Sequence, residues 1–208
     1  MTVRMLGLCL VSCVVASAGP AGQQLLDRVL ARVGASAVTM TDVQAAVGLG
    51  LVEIGPGEER SSVALERTID RRLLLAEVAR FPPVNPSAAA VADELAAMKA
   101  RAGDGLGALM ARTGLDQGRL REMARDTLRI QAYIAQRFGT SAQVRDEDVR
   151  GYYEQHPAAF TRGGRLVPFE EAEPEARELA SAARLQGTID DWIADLRMRA
   201  EIVRVGAP

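Results

Sequence analysis

Few side chains in this chain could do chemistry. His156 is the one histidine, and it stands beside Pro157. A nucleophile needs a base within hydrogen-bond reach, and a single histidine leaves little from which to assemble one. The acids come in runs: Asp146-Glu147-Asp148, Glu170-Glu171 with Glu173, and Asp190-Asp191 beside Trp192. Paired carboxylates can hold a metal or share acid-base work. The first two runs, however, precede helical patterns, where acids favour the positive end of the helix dipole, and the third lies on the polar side of a helical stripe. Gly103-Asp104-Gly105 and Gly163-Gly164 are too short to cradle a phosphate and lack the strand-to-helix context that such a loop requires. The expectation is a protein that binds rather than one that reacts, with no catalytic residue, metal site or cofactor.

The composition says what kind of scaffold is available. With 48% hydrophobic and 25% charged residues, 208 residues suffice for one good core, or one core with an extension. Aromatic residues make up only 4%, while Ala, Leu, Arg and Glu abound, a balance that predicts a mainly α protein. The formal charge of -2 gives no basic footprint for nucleic acid. Lys99 is the sole lysine, and the arginines are scattered among acids along helices, as on solvated helix faces.

Residues 1–18 read as a targeting segment. Arg4 supplies the positive region, 5–15 the apolar run, and Ala16-Ser17-Ala18 a small-residue cleavage site. The run is too short to span a bilayer, so export to the periplasm is expected without an integral membrane span. Both cysteines, Cys9 and Cys13, lie inside it. Leu10-Val11-Ser12-Cys13 also resembles a lipobox, which would make Cys13 a lipidated first residue, although Val14 and Val15 continue the apolar run where a lipoprotein turns polar.

The stretch 27–47 organises the rest of the chain. Val29, Ala31 and Val33 alternate with Leu30 and Arg32, Gly34-Ala35-Ser36 offers a turn, and 37–40 runs back as a hairpin. Thr41 and Gln44 have the spacing of a capping box, which predicts a helix from Thr41. A lone hairpin is barely stable in water, and the alternating run 200–205 is the candidate third strand. Between these ends, apolar periodicity predicts helices over about 62–81, from Asn85-Pro86 to Gly103, over Leu106 to Met110, from a cap at Asp116 to Gly139, and over about 174–199. The segment 143–160 reads as a connector with its own short helix, and Arg162-Gly163-Gly164-Arg165 as a loop. Trp192 is expected to be buried between the last helix and the hairpin.

Four stretches together resemble one family. The hairpin with Thr41-Asp42, the run AxxxxIDRRLLL from Ala64 to Leu75, the connector VRDEDVRGYYEQHPAAF, and WIADLRMRAEIVRV at the C-terminal end are similar to the chaperone module of SurA-like periplasmic proteins. The resemblance covers nearly all of 26–208. It implies a helical chaperone domain whose small N-terminal β-hairpin is closed by the C-terminal helix and strand. In that family the connector leads into a parvulin prolyl isomerase domain, whereas Phe160 to Phe169 leaves no room for one, so no isomerase activity is expected. Arg145 stands where the family tends to place a capping Ser or Thr, and Asp146 is expected to cap instead. The chain divides into 1–18 (signal peptide), 19–140 (hairpin and helical chaperone core), 141–168 (connector) and 169–208 (closing helix and strand).

The resemblance implies an ATP-independent holdase whose partners are unfolded or nascent envelope and outer-membrane proteins. Flexible Met side chains suit such promiscuous contacts. Leu106, Leu109 and Met110, on a short helix between glycine breaks, together with Met98 and Met123, are therefore the expected client-binding residues. A non-enzymatic assembly module, either a homodimer or the partner of one envelope protein, is the alternative.

Overall fold

A computed structural model describes residues 27–139 and 143–205. The expectations for the leader, Cys9 and Cys13 lie outside the described residues. Strand β1 (Val29–Val33) and strand β2 (Ser36–Thr39) form the expected hairpin. Helix α1 (Met40–Gly48) follows without a break, beginning earlier than Thr41. The capping box is made by Thr39 and Asp42 rather than by Thr41 and Gln44: the Thr39 hydroxyl accepts from the Asp42 amide and the Asp42 carboxylate accepts from the Thr39 amide. Thr41 is committed elsewhere, donating its amide and its hydroxyl to the Asp27 carboxylate. Burial pushes the Asp27 carboxyl up, but the bonds from Thr39 and Thr41 outweigh it and hold the group below its ordinary value.

Helix α2 (Arg60–Arg80), α3 (Ala88–Ala102), α4 (Leu106–Thr113) and α5 (Gln117–Phe138) occupy the stretches their periodicity predicts. Asp116 caps α5 as expected, accepting from the Arg119 amide at 2.7 Å. At α3 the cap is Ser87, not Asn85, with its hydroxyl accepting from the Ala90 amide at 3.1 Å. Helix α6 (Asp146–Gln155) begins at the residue expected to cap it. Arg145 holds the cap position, and its amide donates to the Asp148 carboxylate at 3.0 Å, so the acid on the third residue of the helix does the capping.

The Gly163-Gly164 segment is a hairpin rather than a loop. Strands β3 (Thr161–Arg162) and β4 (Arg165–Leu166) pair across it, with both glycines at positive φ, 59° and 79°, as the tightest two-residue turns require. Helix α7 (Phe169–Arg199) starts one turn earlier than Pro174. That turn is held by Phe169, whose ring meets the edge of Tyr153 at 5.4 Å and carries the Arg150 guanidinium at 4.2 Å. Strand β5 (Ile202–Arg204) closes the fold as expected, lying antiparallel to β1 with Ala31 opposite Arg204 and Val33 opposite Ile202. The sheet order is β2-β1-β5.

Three apolar clusters result. The main one packs the hairpin against α2 and the C-terminal ends of α5 and α7. The second gathers the end of α1 with α3, α4 and the start of α5 around Leu49, Met98 and Leu120. The third joins α6 to the start of α7 around Val149 and Phe160. Helix α5 belongs to the first two clusters and α7 to the first and third. At 1.5 Å per residue, α7 is about 46 Å long, enough to tie two separate cores together. Trp192 is buried, but its aromatic partners come from α5 rather than the hairpin: Tyr133 stacks on it at 5.7 Å and Phe138 is tilted against it at 5.2 Å.

Candidate functional site

The five residues expected to hold clients gather at one apolar cluster, two inside it and three at its edge. Met98 is wholly buried and Leu109 nearly so, in the cluster shared by α3, α4 and α5. Leu106, Met110 and Met123 are half-buried and pack against the same cluster. The structure brings all five together in one cluster, where Met98 and Leu109 are enclosed and Leu106, Met110 and Met123 keep part of their surface open. Gly48 makes this packing possible. A Cβ at that position would lie 2.7 Å from the Leu109 Cδ2, so a side chain at the end of α1 would push α4 away.

An apolar groove lies on another side of α1. Val43, Met40 and Val47 fall along one stripe of that helix and, with Leu30 of β1 and Leu65 of α2, form the floor of a groove of about 470 Å³. This is within the roughly 300–1,000 Å³ typical of binding clefts. Helix α1 is therefore apolar on two sides: Ala45, Ala46 and Leu49 are buried, while Met40 and Val47 remain half-exposed. The two sides serve two clusters: Met40, Val43 and Val47 pack at the main one, and Leu49, just after the helix, belongs to the second.

Arginines stand around the floor. Arg28 is positioned by the hairpin, where its backbone carbonyl accepts from the Met40 amide at 2.8 Å. Arg112, from α4, donates to the Gln44 side chain at 3.2 Å. Arg60 opens α2, and Arg204 ends β5. Among the described residues, Arg28, Arg60 and Arg112 form no ion pair. Among the same residues, the one carboxylate lining the groove is Glu66. It grips Arg204 with both oxygens at 2.9 Å and also accepts from Arg197 at 2.8 Å. The bonds from Arg204, with the charge of both guanidiniums, hold the Glu66 carboxyl below its ordinary value against the opposing effect of burial. Glu59, which caps α2, is likewise engaged. Hydrogen bonds from Ser61 and Ser62 lower its carboxyl to about 2.

No histidine or cysteine lines the groove among the described residues. His156 is exposed, stacked on Tyr152 at 4.1 Å with its Nδ1 2.9 Å from the Tyr152 carbonyl oxygen, away from the groove. Among the described residues no group of three His, Cys, Asp or Glu side chains is placed to hold a metal ion, and no helix is long and apolar enough to cross a membrane. An apolar floor with a cationic rim can hold apolar side chains and attract negative charge. The chain matches no protein-family model, and no curated protein matches it.

Proposed function

We propose that the protein is an ATP-independent holdase of the periplasm that shelters apolar segments of unfolded envelope or outer-membrane chains. The observation that carries this reading is the half-open apolar groove between the hairpin, α1 and α2. The four stretches that resemble SurA-like chaperone modules support it. Burying an apolar side chain is worth about 1.5–3 kcal/mol. The groove has room for few of them, and ordering a flexible client offsets much of the gain. Binding is therefore weak and reversible, as a chaperone that must release its clients requires.

The test is light scattering of an unfolded outer-membrane porin diluted into buffer with and without the purified protein, in the absence of nucleotide. Suppression near equimolar ratio is expected, with a large loss on Met40→Glu, which puts a charge on the groove floor. No suppression by the natural protein would sink the reading and would favour an assembly module with one dedicated partner.

A further inference from the structure

We propose that this groove prefers segments in which apolar side chains are interleaved with carboxylates, so that acidic stretches of an unfolded chain are its selected ligands. This rests on the holdase reading and adds a rule for which segments are held.

The floor is apolar and the rim carries four arginines against one carboxylate among the described residues. Arg28, just before β1, Arg60 of α2 and Arg112 of α4 reach the groove without an ion-pair partner among the described residues, whereas Arg204 of β5 is paired with Glu66, the one lining carboxylate among them, which Arg197 also holds. The rim is thus net positive, through Arg28, Arg60 and Arg112, on a chain whose overall charge is -2. Guanidinium groups bind carboxylates through paired, charge-assisted hydrogen bonds, and beside an apolar floor such bonds are less screened than in open water. A basic segment meets like charge at the same rim, so the charges reject as well as attract.

The spread of the arginines argues for a peptide over a fatty acid. A single-headed amphiphile brings one carboxylate to cations supplied from three separate places, beside β1, on α2 and on α4. A peptide with acids on either side of its apolar residues brings several at once. Among peptides, the distinguishing property is the sign of the flanking charge.

The experiment measures binding of three fluorescein-labelled peptides to the purified protein by anisotropy. All three carry the same Leu and Phe residues, interleaved with Glu, Gln or Lys. The expected order is Glu tightest and Lys weakest, with the Glu peptide ahead of the Lys peptide by about tenfold or more at low salt and the gap shrinking as salt screens the rim. Exchanging both Arg28→Glu and Arg60→Glu should erase or invert the order. Should that pair fail to fold, Arg28→Gln with Arg60→Gln and the salt series on the natural protein carry the same test. Equal binding of all three peptides, together with suppression of porin aggregation, would overturn this inference and leave the holdase reading standing. No peptide binding and no suppression would overturn both. Palmitate binding in place of any peptide would overturn the inference in favour of a lipid ligand.

Discussion

The Arg197 guanidinium, in the last turn of α7, donates to the Asp70 carboxylate in the middle of α2, 127 residues earlier in the chain. The same guanidinium reaches the Glu66 carboxylate at 2.8 Å and the Glu66 carbonyl oxygen at 3.1 Å. Glu66 in turn holds Arg204 of β5. One turn of α2 therefore clasps both the helix and the strand that end the fold.

Asp70 is buried, so Asp70→Ala removes a partner that Arg197 cannot replace with free water. Breaking a fully buried pair costs about 3–5 kcal/mol. Arg197 is partly exposed and keeps Glu66, so a loss of about 1–3 kcal/mol is expected in urea unfolding. A change within error would show that the clasp is not a stabilising feature.

Acid should loosen the same clasp through Glu66. Its carboxyl lies below the ordinary 4.5 in the folded protein, so at pH values between the two the unfolded chain binds the extra proton. Stability contributed by Glu66 is then fully present above pH 4.5 and is lost as pH falls through the folded value. Urea midpoints taken down this range should fall more steeply for the natural protein than for Glu66→Gln. Parallel curves would argue against the assignment.

Trp192→Ala is expected to cost about 3–5 kcal/mol, the range for deleting a buried aromatic side chain. Because Trp192 is the single tryptophan and lies against Tyr133 and Phe138 of α5, its fluorescence reports the docking of α7 on α5. A loss below about 1 kcal/mol would mean that the site collapses around the deletion.

Gly48→Ala should destabilise even though alanine is worth up to about 1 kcal/mol more than glycine in a helix. The new Cβ meets two Leu109 methyl carbons at 2.7 and 2.9 Å, and Leu109 is too buried to swing aside. Overpacking of this kind costs about 1–3 kcal/mol. Adding Leu109→Ala relieves the clash, so the double variant should be more stable than the sum of the single effects. Strict additivity would refute the close approach.

Met98→Ala separates core from client surface. A cost of about 2–5 kcal/mol is expected for deleting a fully buried methionine, with suppression of porin aggregation unchanged under conditions where the variant stays folded. Loss of suppression by a fully folded Met98→Ala protein would return client binding to the α3–α5 cluster.

Much of the fold was legible because periodicity and end signals agree within single elements. The α5 stripe of Leu120, Ile130 and Phe138, bounded by Asp116 and Gly139, states a helix with both its ends. The alternation at Ile202 and Val203 announced a third strand. Where two local solutions competed, the sequence could not choose. Thr39 with Asp42 and Thr41 with Gln44 both have capping chemistry, and the decision came from Asp27, fourteen residues before Thr41, which occupies the Thr41 hydroxyl. The site was less legible for a related reason. An apolar stripe shows that a face will be covered but not by what. The stripes of Met98, Leu109 and Met123 cover one another, while the groove floor is assembled from Leu30, Val43 and Leu65, which no single window of sequence contains.

The central strand of the sheet and one of its two neighbours are made far apart in time: Arg32 of β1 and Glu201, just before β5, are 169 residues apart. As the chain leaves a ribosome, the hairpin waits without β5, and the main core waits without Trp192 and Leu196, until synthesis has passed all of them. A two-stranded hairpin is marginal by itself, and contacts this far apart in sequence form slowly. The main core is therefore completed late, and a chain cut short before Ile202 lacks the strand that finishes the sheet.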